Sequence, residues 1–229
     1  MKKVTVDCER PEYKQAVERL VQVGLKESRK RFGLGIFEDR PLRIEITIES
    51  SSIPTRNPYL GELRCPPPLG NEIIIHWIRM LENGPTPDEY MRSLVGPDGS
   101  MFGTIIFGLL HEVGHTIFPD IREDLPKDIV EGWATFFAWS LIPSVWEELG
   151  ADAWPIPHNY FDYEMQRKRK TIEDPQTTEE YYISAFFRIE EESGQKGIFN
   201  IVKGLMKRDS SAIEHLDETL NTIKSERHR

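Results

Sequence analysis

Hydrophobic and polar positions alternate along this chain with two different periods, and the change falls near residue 100. Leu42, Ile44, Ile46 and Ile48 interleave with Arg43, Glu45, Thr47 and Glu49. That period of two predicts a half-buried strand over 42–49. The continuous run Glu72-Ile-Ile-Ile-His-Trp-Ile predicts a more buried strand, with His76 as a packed or edge-strand histidine. Gly61–Arg64 suits a short edge strand, and residues 3–6 another. Pro11 to Arg31 has helical spacing instead: Ala16, Val17, Leu20, Val21 and Leu25 form one face, and Gly33 and Gly35 close the helix.

Beyond residue 100 the helical period takes over. An apolar helix runs over 102–118, capped by Asp98 or Ser100 and ended by Phe118-Pro119. A second, mostly apolar helix begins at Lys127, with Asp124 as cap and Pro126 in its first turn, and is expected to stop at Pro143. Further helices are predicted over 159–171, 178–192, 197–208 and 211–225. The pattern therefore predicts an α+β fold class, with a small sheet in the N-terminal half and a helical C-terminal half. It reads as one domain over 1–229, with a cleft between a strand-containing part, 1–100, and a helical part, 101–229.

The first apolar helix carries His111, Glu112 and His115. Positions i and i+4 share a helix face, so the two imidazoles can converge on one metal ion. Glu112 lies beside them, placed to act as general base on a metal-activated water. This His-Glu-x-x-His spacing has the mechanics of a zinc hydrolase. Two imidazoles and a carboxylate in an apolar helix are costly to bury unless something pairs them.

A catalytic zinc needs a third protein ligand and an open fourth position. Glu131 fits best. A short connector brings its helix back beside the first, and it is a carboxylate on a helix that otherwise wants burial. A salt bridge to a buried arginine, or exposure at the helix start, is the alternative for Glu131. A ligand six residues after His115 would require a different layout; Phe118 and Ile121 occupy the positions it needs. Asp120, Glu123 and Asp124 are expected either to support a histidine N–H or to be solvated connector charges.

Composition narrows the classes further. The chain has 229 residues, 38% hydrophobic, and a formal net charge of −9. That balance argues against a nucleic-acid partner. The basic run Arg167–Lys170 is expected to be a solvated helix face. No stretch approaches the apolar length of a membrane span, so no membrane partner is expected. Cys8 and Cys65 fit no zinc motif, and the first residues lack the apolar run of a secretory leader, so a cytoplasmic setting is expected.

His111-Glu112-Val-Gly-His115, followed by Glu131-Gly132-Trp133-Ala134, resembles the gluzincins, a clan of zinc metallopeptidases that includes thermolysin-like enzymes and zinc aminopeptidases. The likeness covers residues 102–140. It implies zinc (Zn2+) held by His111, His115 and Glu131, with Glu112 as general base. It also implies a small mixed sheet whose outer strand, within 59–65 or 71–78, pairs with an extended peptide or protein substrate. Thermolysin-like members carry an Asp four residues after the glutamate ligand, where this chain has Thr135. Glu62 is the one suggestive acidic residue for binding a substrate amine.

The segment beginning Tyr181-Tyr182 is similar to the later aminopeptidase helix, which opens with a tyrosine that stabilises the transition state. Tyr181 or Tyr182 is therefore the expected oxyanion donor, the alternative being a pair of core or rim aromatics. His158, Tyr160, Tyr163 and Arg188 stand in reserve, and His215 and His228 are expected on the surface. The expected function is a zinc-dependent metallopeptidase. A zinc hydrolase of a non-peptide amide and a non-catalytic zinc-binding scaffold are the alternatives.

Overall fold

The helix at residues 127–149 is buried on almost every side. Trp133, Phe136, Phe137 and Leu141 are all fully enclosed. A helix that is hydrophobic all round belongs at the centre of a bundle rather than on its surface. The computed structural model describes the backbone of residues 4–8, 11–32, 42–50, 61–64, 71–79, 101–115, 125–149 and 159–227. It describes the side chains of 18–32, 107–115, 125–149, 161–162 and 164–227. The helices are α1 (Pro11–Phe32), α2 (Met101–His115), α3 (Lys127–Leu149), α4 (Asn159–Glu173), α5 (Thr178–Met206) and α6 (Ser210–Arg227).

The expected α+β class requires correction. Every residue whose side chain is described lies in one of these six helices or in the connectors 125–126, 174–177 and 207–209. No strand is among them, and the packed body is all-α. An α+β class would pack the helices against the sheet. The described core is instead helix against helix, because α3 is apolar enough to be surrounded. Elsewhere only backbone is described: β1 (Val4–Cys8), β2 (Leu42–Ser50), β3 (Gly61–Arg64) and β4 (Asn71–Arg79) are extended and pair in the order β1-β2-β4-β3. β3 runs antiparallel to β4 and the other pairs are parallel. None of their side chains belongs to the described core.

Around α3 the other helices close in. Phe32 of α1 stacks on Phe137, 4.9 Å between centroids, and meets Trp133 edge-on at 5.6 Å. Phe186 and Phe187 of α5 pack on Phe136 from another side. α3 also continues through Pro143 to Leu149, where a stop was expected. An internal proline costs about 3 kcal/mol. Beyond it Val145 and Leu149 are buried and Trp146 stacks on Phe161. At about 1.5–3 kcal/mol for each enclosed apolar side chain, that burial outweighs the lost backbone bond.

α5 merges the two helices expected over 178–208 across a break at Gly194, whose φ of 65° suits a residue without a Cβ. Its start carries a capping box, Thr177 with Glu180. The basic run on α4 divides: Arg169 and Lys170 are exposed, while Arg167 binds Glu164 and Lys168 lies 4.1 Å from the centre of the Phe187 ring. Only the first pair matches the expected solvated face. Among the described residues, no helix is long and apolar enough to cross a membrane.

One close helix contact, made against backbone, lies between α2 and α3. A Cβ added at Gly114 would stand 3.0 Å from the Ala134 Cα and 3.2 Å from the Phe137 Cβ. Backbone cannot give way there as a flexible side chain would. Gly114→Val is expected to cost about 1–3 kcal/mol of stability through overpacking, read as a lower midpoint in urea denaturation.

Candidate metal centre

Three small or polar features of α3 set the geometry of the site. Ala134 lets α2 approach. The Trp133 indole donates to the Gly114 carbonyl at 3.1 Å and fixes the offset of the two helices. On the opposite side, a Cβ at Gly132 would fall 2.9 Å from the Tyr182 Cβ, so this glycine admits α5. Glu131 comes next to this pair of close approaches and faces the last turns of α2.

There the side chains converge. The His111 and His115 rings meet edge to face, 4.6 Å between centroids, with their Nε2 atoms 3.0 Å apart. Glu131 Oε2 lies 3.2 Å from His111 Nε2 and 3.3 Å from His115 Nε2. Glu112 is buried and belongs to a looser group with the two histidines, whose ligand atoms lie within 4.8 Å of one another. The tighter triangle, closed by Glu131 rather than Glu112, is the better description of where an ion would sit. With bonds of 2.0–2.1 Å, neighbouring ligands of a tetrahedral zinc stand about 3.3 Å apart. The triangle matches that edge length. A proton can bridge one pair of these atoms at a time, whereas a divalent cation engages all three.

Electrostatics agree with the distances. Burial alone would push the Glu131 carboxyl up, but hydrogen bonds from His111 and His115, and their charge when protonated, hold it well below the usual carboxylate range. Glu179, in the first turn of α5, is shifted the other way, by burial and then by the nearby Glu131 charge. The side chain of His115 is 2% exposed, that of His111 16% and that of Glu131 24%. The group is thus enclosed on the helix side and open towards the outside.

His111 is held on two further sides. Its Nδ1 is 3.3 Å from Thr135 Oγ1, one turn beyond Glu131 on α3. Phe107, one turn earlier on α2, packs against its ring at 5.7 Å. Phe107 in turn lies beneath the Arg167 guanidinium and against Trp139. Glu164, almost fully buried, accepts from the Trp139 indole at 2.9 Å and from Arg167 at 3.0 Å. This polar knot was missed in the sequence, where Glu164 looked like one charge among many on α4.

The tyrosine pair lies beside α6. The Tyr182 hydroxyl donates to Asp217 on α6 at 2.7 Å, and burial together with that carboxylate pushes the phenol far above its ordinary value. Tyr181 has the Lys224 ammonium 5.0 Å from its ring centre. Both side chains thus have a partner on α6. Arg188 is likewise held by Glu192 and Glu226, and His215 is exposed as expected.

Asp98, Ser100, Asp120, Glu123, Asp124, Cys65, His158 and His228 lie outside the described residues. The side chains of Cys8, Glu62, His76, Tyr160 and Tyr163 lie outside them as well. No protein-family model, curated protein or solved structure matches the chain.

Tyr182→Phe would remove a hydrogen bond to a charged, half-exposed partner. It is expected to lower stability by about 1–2 kcal/mol in urea denaturation, while leaving metal content unchanged.

Proposed function

We propose that this chain is a zinc-dependent metallopeptidase of the gluzincin kind, acting on a peptide or protein substrate. One observation carries the reading: three ligand-type atoms from two helices stand 3.0–3.3 Å apart, with a buried carboxylate on the residue after the first. His111 and His115 would hold the ion through their Nε2 atoms and Glu131 through Oε2. Zinc, when bound, supplies a Lewis acid that brings the pKa of water towards neutrality and polarises a carbonyl.

The remaining steps belong to the chain. Glu112 accepts the proton of the attacking water on its carboxylate and delivers it to the leaving nitrogen, so that one residue serves as base and then as acid. Its burial among apolar groups strengthens that exchange, since water competes little for the proton there. A cytoplasmic setting, expected from the two unmatched cysteines, is part of the same proposal.

Elemental analysis after mild purification should find about one zinc per chain, lost in His111→Ala and in Glu131→Ala. Glu112→Gln should keep zinc and fold but lose hydrolysis of a peptide library by about 10²–10⁴-fold. Equal, chelator-insensitive cleavage by wild type and Glu112→Gln would discard the mechanism. Zinc without cleavage in either protein would favour a binding scaffold instead.

A further inference from the structure

α5 changes its charge at the Gly194 break. Glu190, Glu191 and Glu192 precede it. Residues 195–208 hold Lys196, Lys203, Lys207 and Arg208 and no acidic residue, in a chain of formal net charge −9. The inner side of this half is fixed: Ile198, Ile201, Val202 and Leu205 are buried, and a Cβ at Gly204 would stand 2.6 Å from the Ala212 Cβ of α6. On the outer side, Lys196, Phe199, Lys203, Met206 and Lys207 are all exposed. At 3.6 residues per turn they fall within about a third of the helix circumference. Phe199 is 51% exposed and Met206 47%, the two large hydrophobic side chains left open among the described residues.

We propose that this face of α5 docks on an anionic phospholipid surface. Charge complementarity carries the argument. Arg188 and Arg227 are committed to carboxylates, Glu192 with Glu226 and Asp174 respectively. Among the described residues no ion pair engages Lys196 or Lys203, and Lys207 lies near Asp209 beyond the helix end. Lys203 Nζ stands 6.0 Å from the centre of the Phe199 ring, so charge and apolar surface are presented together. Lysines act as point charges, without the fork by which arginine selects a single carboxylate. A row of them on the convex side of a helix, edged by Phe199 and Met206, suits a plane of mobile headgroups. A bound peptide would call for a groove or a sheet edge instead. The lysines meet the headgroups, and the two apolar side chains enter at the acyl boundary. Such contact lies on the bilayer surface and needs no spanning helix, so it departs from the expectation of no membrane partner that apolar length suggested. It is independent of the zinc reading, and either can fail alone.

The test is sedimentation of the full chain with sucrose-loaded vesicles, either phosphatidylcholine alone or phosphatidylcholine mixed with phosphatidylserine. The wild type should pellet with the mixed vesicles only, and high salt should release it, because exposed charges are then screened. Lys196→Ala, Lys203→Ala and Lys207→Ala should each weaken binding about fivefold, and the three together about a hundredfold. Removing an equal charge elsewhere, by Arg19→Ala with Arg169→Ala and Lys170→Ala, should leave binding close to wild type. In the wild type, bound vesicles should also shield Lys196, Lys203 and Lys207 from acetylation, read by mass spectrometry. No pelleting of the wild type, equal pelleting of the triple lysine variant, or equal acetylation with and without vesicles would each overturn the proposal. Retention on immobilised polyglutamate without vesicle binding would also overturn it, and would give the face to an acidic protein segment.

Discussion

The distance between α2 and α3 controls everything else in this molecule. Ligands on two helices converge only if the helix axes come closer than large side chains permit, and Gly114 against Ala134 supplies that closeness. The Trp133–Gly114 hydrogen bond then sets the offset along the axes, so that Glu131 arrives opposite the turn between His111 and His115. Spread the pair by the width of a valine and the triangle of donors opens. The aromatic core around Phe32, Phe136, Phe137 and Phe186 bears down on α3 from the other sides and keeps the pair closed.

Charge is distributed with the same economy. Burying carboxylates in an apolar bundle is unfavourable unless each finds partners. Glu131 faces two imidazoles, and Glu164 faces an indole and a guanidinium. The Glu164 arrangement is closed and serves structure. The Glu131 arrangement is open to the outside and presents lone pairs where a cation can use them. Two glutamates on neighbouring helices, one buried and one partly exposed, thus have opposite consequences, decided by whether their partners are obligatory donors.

What the sequence made legible follows from residue type. His111, Glu112, His115 and Glu131 stood out because each is costly in its apolar setting, and helical spacing fixed how they could meet. The geometry of Thr135 could be read only as a departure from a resembling pattern, since a threonine in a helix carries no cost that calls attention to itself. The surroundings of Tyr181 and Tyr182 were not legible, because spacing does not say which neighbour an aromatic side chain reaches; Asp217 and Lys224 of α6 are those neighbours. The α+β class failed in the described body for a related reason. The strict alternation over 42–49 is a strong local signal, but the core was claimed by a helix apolar on all faces. Pro143 misled in the same direction, because backbone chemistry was weighed without the burial beyond it.

The Tyr182–Asp217 hydrogen bond joins the final helix to a residue whose Cβ rests against Gly132, the immediate neighbour of Glu131. Two contacts therefore lead from α6 to the residue beside Glu131. α6 thus reaches the neighbourhood of the three converging atoms through Tyr182, which spans the distance from Asp217 to the glycine face of α3.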